Sequence, residues 1–146
     1  MPDGSSAVSE EWTTASATYE GFPLYVRAPT EIDYSRAADF PTLVIVTLNF
    51  AETQTSGLPE PEYNHELFEF DQEVVALFED GDRGFTVLVE TFAGKRHFYH
   101  YASDDAPVQD LFDGLQRRYP EYDLELEFRS DPDWSFRKKY SEEYGF

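Results

Sequence analysis

Leu43, Val44, Ile45, Val46 and Leu48 make a nearly continuous apolar run after Pro41. Such a run predicts a strand over 42–50 at the centre of a sheet, buried on both faces. The period then changes. Leu67, Phe70, Val74 and Leu77 step by three and four, with Phe78 adjoining, and predict a helix over 63–78 with one buried face. Asp80-Gly81-Asp82 ends it, Gly81 being free to take the left-handed cap conformation. Residues 85–92 and 96–101 flank Ala93-Gly94-Lys95 and predict a β-hairpin with a short turn. Val108, Leu111, Phe112, Leu115 and Tyr119 mark a second helix. It starts near Ala106 or Pro107 behind the cap acceptors Ser103-Asp104-Asp105, and Pro120 stops it. Over 122–128, Tyr122, Leu124, Leu126 and Phe128 alternate with Asp123, Glu125 and Glu127, the pattern of an edge strand with one solvated face.

Between 41 and 129 the order is therefore strand, helix, strand, strand, helix, strand. That order predicts an α+β fold, a ferredoxin-like βαββαβ sandwich with an antiparallel sheet and two helices on one face. Residues 41–50 and 95–102 would be central, with 84–92 and 122–129 outside them. Residues 11–28 alternate loosely around Gly21 and predict a preceding N-terminal β-hairpin, which would extend the sheet or fold over its second face. Residues 1–10 are small and polar and are expected to be a disordered segment. Residues 11–146 then form a single domain. Its 131–146 tail, with Trp134, Phe136 and Tyr140, is spaced as a short helix that docks its aromatics.

A chain of 146 residues with 17% aromatics has enough length and bulk for one real core. Charge changes the picture more. The formal net charge is -19, and residues 1–82 carry -15 of it, with Arg27 and Arg36 as their only cations. An acidic surface disfavours nucleic acid and anionic membranes; it fits a protein partner of basic character, or solubility alone. Cysteine is absent, which excludes disulfides, thiolate catalysis and cysteine-based zinc sites. No signal-peptide pattern or transmembrane-length apolar run is present, so the expectation is a cytoplasmic protein without membrane contact. Oligomeric state is not legible.

Catalytic patterns are missing: there is no GxSxG, no phosphate-binding loop and no dinucleotide fingerprint. No cofactor, catalytic residue or metal ligand is expected, and an uncharacterised, non-enzymatic binding or regulatory domain acting through protein–protein contacts is the leading reading. His65, beside Glu62, Glu66 and Glu69, supports an alternative: a carboxylate-based metal-dependent enzyme or small-ligand binder. An acidic helix face in solvent explains the same residues. On the 95–101 strand, Lys95, His97, Tyr99 and Tyr101 share a face, and Arg96, Phe98 and His100 share the other. The first face offers a second alternative, RNA binding through an aromatic platform over 97–101. The net charge and the lack of a glycine-containing RNP1 motif stand against it. Trp134 would anchor either a partner or its own tail. His97, Tyr99, Tyr101 and Trp134 are thus the candidate binding surface. Arg137-Lys138-Lys139, beside Glu142 and Glu143, reads as a solvated helix face.

A Trp12 strand, Phe40-Pro41 before an apolar strand, Gly57-Leu58-Pro59 before an acidic helix, and Asp131-Pro132-Asp133-Trp134 near the end occur together in this order. In that respect the chain resembles the bacterial domain-of-unknown-function family 695, over all but the first ten residues. The second half is similar to the regulator of ribonuclease E activity B, a ferredoxin-like inhibitory protein. That likeness implies a protein-binding regulator of RNA turnover and assigns no site residue here.

Overall fold

The structure, a computed structural model, describes residues 7–51 and 53–144. Six strands form one antiparallel sheet: β1 (Trp12–Tyr19), β2 (Phe22–Pro29), β3 (Thr42–Asn49), β4 (Gly84–Phe92), β5 (Lys95–Ala102) and β6 (Asp123–Ser130). Their order across the sheet is β1-β2-β4-β5-β3-β6. The apolar run is β3, lying between β5 and β6, with Leu43, Val44, Val46 and Leu48 fully buried. Two-residue turns close both hairpins, Glu20-Gly21 between β1 and β2 and Ala93-Gly94 between β4 and β5. All four turn residues have positive φ, the geometry that matches the twist of flanking strands. Because β2 pairs with β4, the hairpin extends the sheet, and β4 is an interior strand instead of an outer one.

Four helices accompany the sheet: α1 (Pro61–Glu66), α2 (Phe68–Val75), α3 (Val108–Arg118) and α4 (Ser135–Tyr144). The helix expected over 63–78 is thus two. At the joint, Leu67 is fully buried and its N–H is shared between the carbonyls of Tyr63 and Asn64, both at 3.2 Å. Leu77 and Phe78 stay in the core from the turn beyond α2. The expected cap at α3 is also different. Ser103 Oγ donates to Asp105 Oδ1 at 2.8 Å, and Pro107 precedes the helix without a side-chain cap. Between α1 and β3, Gly57 has φ +87°, and a Cβ there would come 2.8 Å from Ala93 Cα. That close approach lets Gly94 N–H donate to Gly57 O at 2.7 Å and pins the loop to the β4–β5 turn.

The central strands of the sheet are buried on both faces, by different layers. Val44, Val46, Leu48, Val89, Phe98 and Ala102 pack under α1–α3. Leu24, Val26, Leu43, Phe85, Leu88, Tyr99 and Tyr101 pack under Trp134, Tyr140 and the connection that holds Ala37 and Phe40. The second cover is therefore the C-terminal tail, not the hairpin. The chain also enters the core earlier than residue 11. Ala7 is buried and Val8 bridges Ile32, while the rest of the expected disordered segment, residues 1–6, lies outside the described residues.

Candidate functional site

Alternation along β5 puts His97, Tyr99 and Tyr101 on the face covered by the tail, and the structure brings Trp134 to them. Asp131 is the fastener. Its Oδ1 and Oδ2 accept the N–H groups of Ser135 and Phe136 at 3.0 Å each, which starts α4. The same Oδ2 accepts Tyr101 Oη at 2.6 Å. Trp134, held at φ +57°, then inserts: its indole stacks on Tyr101 at 4.9 Å and its Nε1 donates to Phe40 O at 2.8 Å. Tyr99 stacks on Phe136 at 4.5 Å. Tyr101 and Trp134 are fully buried and Tyr99 nearly so. Only His97 is partly open, bonded through Nδ1 to Thr47 Oγ1 at 2.9 Å. Burial raises the pKa values of the Tyr99 and Tyr101 phenols, and both stay neutral. In this conformation the aromatic rings are core, with their faces taken by other rings. Arg137, read above as part of a solvated face, is buried and donates to Val87 O at 3.1 Å.

His65 is exposed on α1, and among the described residues no group of three or more His, Asp or Glu is placed to hold a metal ion. His100 lies on the opposite face of β5 from His97 and is fully buried. Thr86 Oγ1 donates to Val75 O at 2.7 Å, so it accepts from His100 Nδ1 at 3.0 Å. That assigns the proton to Nδ1 and leaves His100 Nε2 a buried acceptor without a donor. Burial pushes the imidazole pKa down to about 3, so it is neutral.

The groups that sequence patterning missed lie where the hairpin extends past α1 and α2. Arg96 is buried on β5; its Nη1 donates to Asp71 Oδ2 at 2.7 Å, its Nη2 to Asn64 Oδ1 at 2.9 Å and its Nε to Thr91 Oγ1 at 2.9 Å. Asp71 Oδ1 is buried without a partner. Arg27 on β2 is half-buried and, among the described residues, makes no ion pair or side-chain hydrogen bond. It lines two adjoining open hollows of about 440 and 400 Å³. The first has Tyr25, Leu58, Pro59 and Arg96 in its walls, the second Trp12, Phe68 and Asp71. Burial lowers the Arg27 pKa, and Arg96 pushes the same way against the pull of Asp71; burial raises that of Asp71 against both arginines. One signal was available in sequence: Arg27 is one of two cations in the first 82 residues.

The sheet ends on one side at β1. Thr30 N–H donates to Glu11 O at 2.8 Å, and antiparallel ladders repeat that role every second residue. Thr13, Ala15, Ala17 and Tyr19 therefore bond to β2, while the backbone amides of Trp12, Thr14, Ser16 and Thr18 face outward. The strand carries no charge along eight residues, and exposed Glu10, Glu11 and Glu20 flank it. Exposed Tyr19 ends the strand, and exposed Phe22 and Tyr25 stand beside it on β2.

No helix among the described residues is long and apolar enough to cross a membrane. Comparison with curated proteins and with solved structures returns no significant match. The model of a family of unknown function matches residues 10–140, from just before β1 into α4, and the chain belongs to that family, DUF695.

Proposed function

We propose that the protein is a non-enzymatic binding domain that acts through protein–protein contacts, with β1 as the docking edge. The observation that carries this reading is the uncharged outer edge of β1, whose outward-facing amides and carbonyls are oriented to accept a further strand. Glutamates at both ends favour a partner segment flanked by basic residues. They also oppose self-pairing, because two antiparallel copies joined through the outward amides of residues 12–18 would set Glu10 against Glu20. The β6-β3-β5-β4 part of the sheet supports a ferredoxin-like core, onto which the hairpin adds this edge. A partner in RNA turnover remains a proposal drawn from the likeness of the second half to the regulator of ribonuclease E activity B.

The test is a tagged pull-down from lysate, with and without RNase, scored by mass spectrometry for wild type and Ser16→Pro. Proline removes one outward amide and is tolerated on strand edges. The expected result is a protein partner that survives RNase and is lost with Ser16→Pro at unchanged circular dichroism. A partner retained by Ser16→Pro overturns the edge assignment, and a partner lost on RNase treatment replaces protein by RNA as the ligand.

A further inference from the structure

We propose that the double hollow around Arg27 is a binding site for an apolar monocarboxylate. This goes beyond the edge-strand reading and uses different residues. The charged side chains lining the two hollows are Arg27, Arg96 and Asp71, a net of one positive charge in a chain whose formal charge is -19. Arg96 is committed: its three nitrogens go to Asp71, Asn64 and Thr91. Arg27 is not: Asp71 pulls on it electrostatically, but among the described residues no side chain pairs with or hydrogen-bonds to its guanidinium, and that half-buried group is the feature of this surface that a ligand would complete. Guanidinium presents parallel N–H donors that match a carboxylate. Asp71 lines the second hollow, and its carboxylate is held by Arg96 through Oδ2 while Oδ1 is buried, which leaves Arg27 as the polar anchor of the pair of hollows.

The apolar half of the ligand follows from the walls. Trp12 and Phe68 border one hollow, Tyr25, Leu58 and Pro59 the other, and Phe68 is 61% exposed. Volumes of about 440 and 400 Å³ suit a small molecule of aromatic size. A polyanion such as a nucleotide phosphate chain fits less well, because only one positive charge is left unmatched. The carboxylate itself comes either from a free acid or from a peptide chain end, and both present the same group to Arg27.

The experiment is a titration of the whole protein followed by nitrogen-15 NMR, reading the Arg27 side-chain Nε–H signal and the backbone amides of 14–15, 25–27 and 68–72. The probes are 3-phenylpropanoate, its neutral amide, the peptide Gly-Gly-Gly-Phe with a free carboxyl end, and the same peptide amidated. Saturable shifts at these positions with a carboxylate probe, and at least ~10-fold weaker binding of its amide, are expected. Arg27→Gln should weaken carboxylate binding ~10-fold or more while Arg27→Lys retains part of it, both with wild-type circular dichroism and melting. Preference for 3-phenylpropanoate identifies a free acid, and preference for the peptide a chain end. Absence of saturable shifts up to roughly 10 mM of either carboxylate, equal binding of the amides, or full affinity in Arg27→Gln overturns the proposal.

Discussion

Strand β5 turns Arg96, Phe98 and His100 to the layer of α1–α3, and His97, Tyr99 and Tyr101 to the layer of α4, and the two sides are closed by different chemistry. On the tail side, rings stack on rings, and polar atoms tie the cover down at single points: Tyr101 to Asp131, Tyr140 to Glu90 and Trp134 to Phe40 O. On the helix side, aliphatic and aromatic packing surrounds two buried polar systems, Arg96 with Asp71 and Asn64, and His100 with Thr86. Among the described residues, no buried side-chain polar atom on the tail side lacks a partner. On the helix side Asp71 Oδ1 and His100 Nε2 are buried without partners, and Arg27 shares a hollow with Asp71 without a side-chain hydrogen bond among the described residues. Buried polar groups left unmatched cost stability, so removing the groups around them should affect the two sides differently.

Trp134→Ala should give the largest loss on the tail side. It empties a fully buried indole site and strands the Phe40 carbonyl, for a cost of about 5 kcal/mol. Urea unfolding should show it, together with loss of near-ultraviolet circular dichroism. A loss under about 2 kcal/mol would mean that the tail is a detachable cover, and would reopen the Tyr99–Tyr101 face as a binding surface. On the helix side, Arg96→Leu should cost less, about 3 kcal/mol. Asp71 is already pushed towards its neutral form by burial, so it can protonate when Arg96 is removed. The signature would be a deficit that narrows as pH falls towards 4, whereas a pH-independent loss would show that the contribution of Arg96 is packing.

The contrast was partly legible in the chain. Alternation over 95–101 separated the two sets of β5 side chains correctly, because a strand's period of two leaves no freedom once both faces are buried. The apolar run predicted over 42–50, the hairpin strands over 85–92 and 96–101 and the alternating strand over 122–128 are found at Thr42–Asn49, Gly84–Phe92, Lys95–Ala102 and Asp123–Ser130. What covered the second face did not follow. The tail's cover depends on Asp131 gathering the start of α4 and Tyr101 at one carboxylate, a contact across 30 residues that no local pattern announces. The break at Leu67 was equally silent, since Leu67 fits the apolar stripe of an unbroken helix. Arg137 looked solvated because its neighbours Lys138 and Lys139 are, whereas its guanidinium reaches inward to the Val87 carbonyl and to Ser141 Oγ. The Arg27 hollow needs the hairpin to extend the sheet beyond the helices, so it belongs to tertiary structure alone.

The neutral His100 gives a smaller effect that separates the sides by pH. Its folded pKa of about 3 lies below the unfolded value of about 6.5. Between those values the unfolded chain binds the proton and the folded one does not, so this contribution is full above about pH 6.5 and falls as the pH drops. The slope should reach up to ~1.4 kcal/mol per pH unit between pH 6 and 4. His100→Asn, whose amide can still donate to Thr86, should remove that slope from urea-derived stabilities. An unchanged slope in the variant would place the acid sensitivity elsewhere.

The smallest effect on stability is expected at the far end of the helix side, where β1 closes the sheet. Ser16→Pro should change stability by less than about 1 kcal/mol, because the amide it removes faces away from the β1–β2 ladder. The same substitution at Ala15 should cost at least about 2 kcal/mol more, since Ala15 N–H belongs to the β1–β2 ladder. The pair therefore reads the ladder's parity directly from two melting curves. If Ala15→Pro were the milder of the two, β1 would be turned the other way, and the unpaired amides offered to a partner strand would be those of Thr13, Ala15 and Ala17. The glutamates flanking the strand would keep their places in that case, so the preference for a basic partner would survive while the register of docking shifted by one residue.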